Sequence, residues 1–505
     1  MAESSGPAVG ADSVAVIGLA CRFPDADDPP TLLDTILTGR RAFRRVPPSR
    51  LDLAAFEAAD QPDVAVHHGA EAGLLTGLGN SAAAPGPRAG LIEGWRFDQE
   101  AFRIPVPVYA ATDPAHWLAL ETAARALAAA GFPGGTGLDR DRIGVIIGNS
   151  LAGDASRASA LRLRWPYVRR VLGESLFAGD VPADRARRVL RHAAARYLAP
   201  LPRLGESAAS ADMTIPARIS SYFGFRGGGH AVDGAFASSL QAVASACAAL
   251  VARDIDVALA GGVDLSLDPL ELIAQADATA DRAPGGPDGT MRIYDERPTG
   301  YLPGEGCGIV VLMRTAQARQ AGLPVYAEII GWGTSAGGMP GVVASDASSQ
   351  LLALRRAYER AGADPGDVRL IEGHGGGTPT ADEAELTALA ELRADARQTA
   401  ALGSIKANIG HAKAAAGAAG LIKTVLALGT GIIPPTTGVV RPHPLLRSGD
   451  APFWLPEVPE EWPAGSRLAG VSAMGIGGVN VHLVLRSAAG RVSRHDRVLR
   501  VRPRP

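Results

Sequence analysis

The amino-acid sequence predicts an α/β protein whose sheets are covered by helices on both faces. Segments typical of strands alternate with segments typical of helices along most of the chain, which is the pattern of layered α/β folds. Many of the strand segments are apolar throughout, as in strands whose two faces are both buried. At 505 residues, the chain is also long enough for two or more core-forming units.

The first part of the chain contains a leader, a strand, a loop and a helix. Residues 1–11 are expected to be a disordered leader, and VAVIGLACRF after them has the composition of a buried strand. The Gly-, Ala- and Pro-rich stretch from His67 to Gly90 is predicted to be a mobile loop. WLALETAARALAAAG predicts a helix that ends at Gly131, and DRIGVIIGNS predicts the strand that follows.

An arginine-rich segment from Leu161 to Leu176 places apolar residues at helical spacing between its arginines. This pattern is typical of an amphipathic helix on the protein surface. A docking surface for an acidic carrier domain or for a dimer partner is the alternative interpretation.

The remainder of the chain continues the alternation. A buried strand that breaks at paired glycines lies between Asp256 and Pro269. Further elements are predicted in the order YLPGEGCGIVVLM, PVYAEIIGWGTSA, the helix LLALRRAYERAG, the strand DVRLIEGHGG, a helix from Asp382, the loop GSIKANIGHAKAAAGAAG and LAGVSAMGIGGVNVHLVL. Residues 488–505 are basic and lack a core pattern, so we interpret them as a tail.

Composition and charge argue against several classes of protein. The chain is 47% hydrophobic and 20% charged, which is a globular composition, and its net charge of −2 creates no overall field for nucleic acid or an anionic membrane. Its three cysteines are too far apart for a metal site or a disulfide framework. No apolar run approaches the roughly 20 residues that cross a bilayer. We therefore expect a soluble cytoplasmic protein without a bound metal.

The stretch AVDGAFASSLQAVASACAAL predicts a strand, a turn of small residues and a helix. Such a junction presents one residue at a helix N-terminus, where backbone N–H groups stabilise a thiolate or an oxyanion. That residue is Phe236, which can be neither. Cys247 lies 11 positions later, roughly 16 Å along the helix, and is interpreted as a core cysteine. Ser238 and Ser239 are expected to point away from position 236 or into helix packing.

Two further segments carry residues suited to catalysis. His374 follows an apolar strand in EGHGGGT, where glycines permit a substrate to approach the backbone closely. Lys406 and His411 lie five positions apart in GSIKANIGHAKAAAGAAG, a loop that opens a helix of small residues. A single histidine after a strand is more often structural. Two histidines in Gly-rich loops, together with a lysine and a nucleophile position that holds no nucleophile, favour a catalytic role.

Four motifs occur in the order VDGAFASSL, EGHGGGT, GSIKANIGH and MGIGGVNVHLVL. This order resembles that of the β-ketoacyl synthase domains of polyketide and fatty-acid synthases. VAVIGLACRFP and DPAHWLALETAARALAAAG are similar to polyketide ketosynthases. AGLIEGWRFDQEAF, ATDPAHWLALETAARALAAAGFP and LRLRWPYVRR further resemble the ketosynthase of iterative enediyne-type synthases. The resemblance covers about residues 12–487.

The resemblance implies a thiolase-like fold, in which two duplicated α/β halves pack their sheets in layers. We assign residues 12–271 to the N-terminal half and residues 272–487 to the C-terminal half. The resemblance also implies an acyl carrier protein as partner, and either a homodimer or a heterodimer with an active ketosynthase. No cofactor would be bound by the protein itself, because phosphopantetheine would arrive on the carrier.

Matching positions carry implied roles. His374 and His411 would hydrogen-bond the thioester carbonyl of a malonyl group and stabilise the enolate that forms as carbon dioxide leaves. Lys406 would order its loop and support the local electrostatics. The backbone N–H groups of residue 236 and of the Met474–Gly475 region would form the oxyanion hole. The candidate contacts for phosphopantetheine are Thr378, Gly477 and Gly478.

Several positions depart from the family pattern. HGGGT stands where the family usually has HGTGT, so Gly376 would loosen the wall near His374, and TADEAEL stands where GDPIEL is usual. Met474 and Ile476 lie where many members have phenylalanines that gate the pocket. Glu305 and Asp295 are similar to family residues near the floor of the active site and are interpreted as buried ion-pair partners.

Phe236 stands where the family has its acyl-accepting cysteine, and this departure leaves three functions open. The first, which we favour, is decarboxylation of malonyl-carrier protein without condensation, because enolate stabilisation needs donors rather than a nucleophile. The second is a non-catalytic partner of an active ketosynthase, like a chain-length factor, although such a partner has no catalytic need for both histidines. The third is a condensing β-ketoacyl synthase whose cysteine was replaced by Phe236.

Overall fold

The computed structural model describes residues 13–47, 50, 88–150, 154–198, 214–266, 289–337, 346–449, 451–463, 465 and 467–488. The predicted leader, nearly all of the predicted tail and residues 67–87 of the predicted loop lie outside these ranges. The last three residues of that loop, Arg88–Gly90, form a short strand.

Fourteen of the strands and α-helices described lie between residues 14 and 314. The strands are β1 (Val14–Arg22), β2 (Phe43–Arg45), β3 (Arg88–Gly90), β4 (Ile143–Gly148), β5 (Gly229–Val232), β6 (Val257–Asp264) and β7 (Gly306–Arg314). The α-helices are α1 (Pro29–Leu37), α2 (Val106–Ala110), α3 (Pro114–Ala129), α4 (Asp154–Ala178), α5 (Ala183–Leu198), α6 (Ile215–Phe223) and α7 (Ser238–Val251). A 3₁₀ turn, Ala235–Ala237, immediately precedes α7.

The following elements run to residue 487. The helices are α8 (Thr315–Gln320), α9 (Ala347–Ala361), α10 (Pro379–Leu392), α11 (Lys406–Ile409) and α12 (Ala416–Thr430). The strands are β8 (Ala327–Ala336), β9 (Leu370–Glu372), β10 (Ala400–Gly403), β11 (Ile432–Ile433), β12 (Phe453–Trp454), β13 (Glu460–Glu461), β14 (Leu468–Met474) and β15 (Val479–Ser487). The predicted helix from Asp382 therefore begins three residues earlier, with Pro379 in its first turn.

The main sheet has eleven strands in the order β12-β10-β9-β14-β15-β8-β1-β7-β6-β4-β5. In its first half, β1 pairs with β7 and β7 with β6 in antiparallel fashion, and β6, β4 and β5 run parallel. The series β8, β15, β14, β9, β10 repeats these directions. The two series meet where β1 and β8 pair antiparallel. This repeat confirms the predicted thiolase-like fold with two duplicated α/β halves.

The position of β7 bears on the boundary between the halves. The predicted boundary, between residues 271 and 272, precedes β7. Because β7 pairs with both β1 and β6, it belongs to the first series of strands and is the last of that series along the chain. The strand pattern therefore starts again between Arg314 and Ala327.

Helices α7 and α12 lie together between the two halves of the sheet. Their apolar residues share one buried cluster with residues of β4 and β6 from the first half and of β9 and β14 from the second. Along β1, Val14 and Val16 face this cluster, whereas Ala15 and Ile17 face a second cluster that contains α3. A third cluster contains residues of α9 and α10. The sheets are thus covered on both faces, as their uniformly apolar strands predict.

The arginine-rich segment forms part of α4, which packs against α5. Of the side chains described between residues 162 and 198, none is buried. Leu163 and Phe177 are 82% and 78% exposed. The predicted surface helix is therefore confirmed, and its use as a docking surface stays a prediction. Within the described ranges, no helix has the length and apolar character needed to cross a membrane.

Candidate active site

Phe236 lies in the turn that joins β5 to α7, as the sequence predicts. The turn is held by its own side chains, since Asp233 accepts a hydrogen bond from the Ala235 N–H at 2.9 Å and Ser238 Oγ accepts one from the Gly234 N–H at 3.0 Å. Ala235 adopts a φ of 51°, which turns the chain sharply into the helix. The Phe236 N–H makes no hydrogen bond to the main chain of the described residues.

The other candidate nucleophiles near this turn have structural contacts. Ser238 Oγ donates to the Ala235 carbonyl at 2.5 Å, and Ser239 Oγ accepts a hydrogen bond from the Ala418 N–H of α12 at 2.9 Å. Cys247 is fully buried in the central cluster. Burial raises the pKa of its thiol far above the ordinary value. None of the three is placed to act as a nucleophile, as the sequence predicts.

His411 lies against Phe236, with 4.4 Å between the two ring centroids. Tyr301 completes an aromatic group, at 5.1 Å from His411 and 6.0 Å from Phe236. The Nδ1 atom of His411 accepts a hydrogen bond from the Lys413 N–H at 3.0 Å, so the ring proton of the neutral imidazole is on Nε2. His411 Nε2 is buried and has no partner among the described residues. A buried donor is therefore left free for a ligand.

His374 follows β9 and is 5.5 Å from His411 between ring centroids. Its Nδ1 atom accepts a hydrogen bond from the Met474 N–H at 3.3 Å, which again places the proton on Nε2. Its carbonyl oxygen accepts hydrogen bonds from Lys406 Nζ at 2.5 Å and Ser404 Oγ at 3.1 Å. The structure thus brings together all four predicted catalytic positions, with Lys406 behind His374.

Both histidines are neutral at pH 7. Burial holds the pKa of His374 well below its usual range, and the nearby Lys406 charge adds to this effect. Burial also lowers the pKa of His411, and the nearby Lys406 and Lys413 charges add to this effect. Burial lowers the pKa of Lys406 to about 8, against the opposing effect of Glu372, Glu385 and other acidic neighbours. At pH 7 the pair therefore offers two neutral N–H donors next to one ammonium group.

Two carboxyl groups of α10, which sequence reasoning missed, hold the His374 loop. Glu385 accepts hydrogen bonds from the N–H groups of His374 and Gly375 at 2.6 and 2.9 Å, and from the Tyr294 hydroxyl at 2.9 Å. Asp382 accepts from the N–H groups of Tyr294 and Gly377 at 2.8 and 2.9 Å. Burial raises the pKa of Asp382 to about 7 and also raises that of Glu385. Their spacing of three positions in a predicted helix is the signal that could have identified a shared face.

A buried ion pair supports the same site from β9 and α12. Lys423 Nζ lies 2.6 Å from Glu372 Oε2, and both side chains are nearly inaccessible to solvent. Glu372 also accepts a hydrogen bond from the Ile405 N–H at 2.7 Å. This pair fixes the start of α11 beside β9. No short sequence motif links the two residues, so sequence reasoning could not have paired them.

The loop that follows β14 requires a correction to the predicted oxyanion hole. The Met474 N–H is donated to His374, and the Gly475 N–H is donated to the Val479 carbonyl at 2.7 Å. Neither is free to stabilise an oxyanion. The next N–H, that of Ile476, has no hydrogen-bond partner in the part of the chain that the structure describes. Together with the free Phe236 N–H, it is the better candidate.

The candidate contacts for phosphopantetheine differ from one another. Gly477 is exposed, and a Cβ there would have no atom of the described residues within 4 Å apart from its chain neighbours, so a ligand can approach it. Gly478 is buried, and a Cβ there would lie 1.5 Å from the Gly337 oxygen, so its role is close packing of the backbone rather than ligand contact. Thr378 precedes α10 on the His374 loop. A Cβ at Gly376 would lie 3.6 Å from His374 Nε2, which places the missing side chain beside His374 as predicted.

Glu305 and Asp295 have different surroundings. Glu305 is buried and pairs with Arg50 at 2.8 Å, which confirms its interpretation as an ion-pair partner. Asp295 is also buried, but it accepts hydrogen bonds from three backbone N–H groups, those of Arg297, Val440 and Arg441. Its role is thus to hold the loop before β12, because the carboxylate is satisfied by main-chain donors.

Comparison with known proteins identifies the family. Residues 11–318 match the family model of the beta-ketoacyl synthase N-terminal domain, and residues 326–440 match that of the beta-ketoacyl synthase C-terminal domain. The chain belongs to the beta-ketoacyl synthase family. The change from one family model to the next falls in the same interval in which the strand pattern repeats.

Relatives of this ketosynthase-like chain include large polyketide synthases. It is 33% identical over 485 residues to one of the phenolphthiocerol/phthiocerol polyketide synthase polypeptides of Mycobacterium tuberculosis (strain CDC 1551 / Oshkosh). The alignment covers 94% of this chain and 23% of the relative. The ketosynthase-like chain therefore spans about a quarter of the length of the curated relatives it matches.

Solved structures show the same fold. The ketosynthase from module 6 of the bacillaene synthase from Bacillus subtilis 168 has a TM-score of 0.74 and 26% sequence identity, over 95% of this chain and 73% of that one. The PfaC keto synthase–chain length factor has a TM-score of 0.76 and 28% identity, over 96% of this chain and 49% of that one. The closer resemblance to enediyne-type ketosynthases stays a prediction.

Proposed function

We propose that this ketosynthase-like protein acts in polyketide biosynthesis and decarboxylates malonyl thioesters that an acyl carrier protein presents on its phosphopantetheine arm. The observation that carries the proposal is the free, buried Nε2–H of His411, next to His374 and in contact with Phe236. A buried N–H donor without a partner is costly unless a ligand uses it. The thioester carbonyl oxygen is the ligand that matches this donor.

The reaction requires donors rather than a nucleophile. The Nε2–H groups of His411 and His374 donate to the thioester carbonyl oxygen of the malonyl group. The bond between the α-carbon and the carboxylate breaks, its electron pair forms the enolate, and carbon dioxide leaves. Both donors stabilise the charge that develops on oxygen, which is preorganised electrostatic catalysis. A proton from water then reaches the α-carbon and yields the acetyl thioester.

Condensation is absent from the proposed activity because no described group near the turn can accept an acyl chain. A thiolate or alkoxide is needed to form the acyl-enzyme, and Phe236 provides neither. The hydroxyl groups of Ser238 and Ser239 are held in structural hydrogen bonds. The Phe236 ring instead supplies apolar bulk against His411, which mimics part of a bound acyl chain.

Two alternatives retain specific support. A non-catalytic, chain-length-factor-like partner is supported by the Phe236 ring packed on His411 and by the similarity to the PfaC keto synthase–chain length factor. A condensing synthase whose cysteine was replaced is supported by the other site residues, because His374, His411 and Lys406 remain assembled. The partner alternative leaves both histidines without a catalytic use, whereas the replaced-cysteine alternative accounts for them.

We further propose that the protein is cytoplasmic and forms a homodimer, or a heterodimer with an active ketosynthase. Strand β5 supports the dimer, since it ends the eleven-stranded sheet and pairs only with β4 among the described strands. Three of its four residues are exposed. An unpaired edge of this kind is a ready site for pairing with another strand.

Intact-mass spectrometry tests the proposed reaction. Malonyl-carrier protein is incubated with the purified chain and with the variants His411→Ala and His374→Ala. We expect the carrier to lose carbon dioxide and become acetyl-carrier, with no mass added to the enzyme, and each variant to be about 10²-fold slower or more. Decarboxylation that persists unchanged in both variants, or no turnover by the wild-type chain, would overturn the proposal.

A further inference from the structure

A buried ion pair next to the histidine turn involves a residue in an unusual backbone conformation. Lys413, two positions after His411, has a φ of 48°. Glycine adopts this left-handed conformation without steric cost, whereas other residues need support from their surroundings. The Lys413 side chain is buried, and its Nζ atom lies 3.4 Å from Asp264 Oδ1. The same ammonium donates to the Ser266 carbonyl.

Asp264 connects this turn to the end of β6. Its carboxylate accepts hydrogen bonds from the Ser266 N–H at 3.0 Å and from the Ser266 hydroxyl. It also accepts one from the Ala414 N–H at 3.3 Å, directly after Lys413. Asp264 is 1% exposed. The ammonium therefore neutralises a carboxylate that water cannot reach, and both groups hold the turn on β6.

The turn at Lys413 affects His411 through one backbone hydrogen bond. The left-handed conformation of Lys413 points its N–H at His411 Nδ1, 3.0 Å away. A backbone N–H can only donate, so this contact keeps Nδ1 unprotonated and leaves the proton on Nε2. If the turn relaxed, the Nδ1–H tautomer would become accessible, and the donor beside Phe236 would be lost.

We infer that Asp264 and Lys413 are positioning residues that fix the Nε2–H tautomer and the orientation of His411. Neither residue contacts the reacting atoms; both act through the backbone between residues 411 and 414. The catalytic consequence rests on the proposed function, whereas the tautomer itself does not. A purely structural ion pair would affect stability without changing the protonation site of His411.

Nitrogen-15 NMR of the full-length chain, labelled at histidine, tests this inference. Two-bond ¹H–¹⁵N correlations report which ring nitrogen carries the proton, and the spectrum of His411→Ala identifies the His411 signals. In the wild-type chain we expect a single Nε2–H tautomer for His411. In Lys413→Met and Asp264→Asn we expect a mixture of tautomers, and a decarboxylation kcat that is about 10-fold to 100-fold lower at unchanged KM.

Further variants separate the effect of the Lys413 backbone conformation from the effect of the Lys413 charge. Lys413→Gly permits the left-handed backbone but removes the ammonium together with the rest of the side chain, and Lys413→Arg retains the charge and is expected to keep one tautomer. The double variant Asp264→Asn/Lys413→Gln removes both charges of this pair and leaves neither one unpaired, so it provides a folded form if a single variant does not fold. Arg319→Met is the matched control, because it removes a cation from the buried Glu328, which also pairs with Arg486.

The outcomes distinguish the two proposals. An Nδ1–H tautomer in the wild-type chain, or an unchanged tautomer in folded Lys413→Met and in the double variant, would overturn the positioning role. If the His411 tautomer shifted as much in Arg319→Met as in Lys413→Met, the effect would not be specific to the Asp264–Lys413 pair, and the positioning role would be overturned. If the wild-type chain shows the Nε2–H tautomer but no decarboxylation, the proposed function fails and the structural role of the pair remains.

Discussion

The ring of Phe236 lies 4.4 Å from the ring of His411 at the start of a helix whose preceding turn leaves a backbone N–H free. The resemblance to condensing synthases implies an acyl acceptor at this position. Here the position supplies only apolar surface and one main-chain donor. The histidines keep their hydrogen-bonding capacity because each receives a backbone N–H at Nδ1. Under the proposed function, decarboxylation is retained and acylation is lost at this one side chain.

Lys406 leads to a prediction about the pH dependence of catalysis. Burial lowers its pKa to about 8, so the ammonium that donates to the His374 carbonyl is protonated below that pH and loses its proton above it. We expect the decarboxylation rate to be highest below pH 8 and to fall as pH rises through this value. Steady-state rates between pH 6.5 and 9.5 measure this limb.

The variant Lys406→Met provides the control for that pH profile. It has no ammonium to lose, so its residual rate should not fall as pH rises through 8. An alkaline limb that stays at the same midpoint in Lys406→Met would assign the titration to another group.

The loop between β14 and β15 is packed directly on the Phe236 turn. A Cβ at Gly475 would lie 2.1 Å from the Gly234 oxygen, which belongs to backbone and cannot rotate away. We expect Gly475→Ala to displace the turn, to destabilise the protein by about 1–3 kcal/mol, and to slow decarboxylation. Thermal unfolding and the malonyl-carrier assay measure the two effects.

Gly376→Ala is the matched control for this loop variant. It also adds one methyl group close to His374, but its nearest contacts would be 3.5 Å or longer, which is ordinary van der Waals distance. Its stability should change by less than about 1 kcal/mol. Equal destabilisation by both substitutions would show that the close approach of Gly475 to Gly234 does not hold the turn.

Sequence patterns located most of the elements that carry the site. The strands β1 and β4 and the helices α3 and α7 follow the predicted segments, because apolar runs, caps and glycine ends determine them locally. Helix α5 was missed, since it buries none of its described side chains and so lacks the apolar run of a core element. Strand β3 was assigned to a loop, because its three residues pair only with the equally short β2.

The duplicated architecture explains why distant motifs form one site. Helix α7 in the first half and α12 in the second both lie in the central cluster, and the turns before them carry Phe236 and His411. The family resemblance predicted this grouping. The buried pair Glu372–Lys423 and the donors to Glu385 depend on three-dimensional packing between separate elements. No local spacing encodes them, so they could not be derived from sequence.

The shared core predicts that the two halves unfold together. The halves are joined in the sheet by only a short pairing of β1 with β8, but the central cluster contains residues of both. Neither half can bury its inner face without the other. Hydrogen-exchange mass spectrometry in increasing urea should therefore show β6 and β14 losing protection at the same concentration. Separate midpoints for these two strands would contradict a common core.

Covalent acylation of Phe236→Cys tests the central claim most directly, namely that residue 236 occupies the nucleophile position of an otherwise intact site. The variant and the wild-type chain are each incubated with an acyl-carrier protein, digested and examined by mass spectrometry. We predict acylation of the new thiol at position 236, and β-ketoacyl product once malonyl-carrier is added, with neither in the wild-type chain. Loss of product in Phe236→Cys/His411→Ala would tie this activity to the His411 donor. A folded Phe236→Cys whose thiol is alkylated by iodoacetamide but is never acylated would contradict the account.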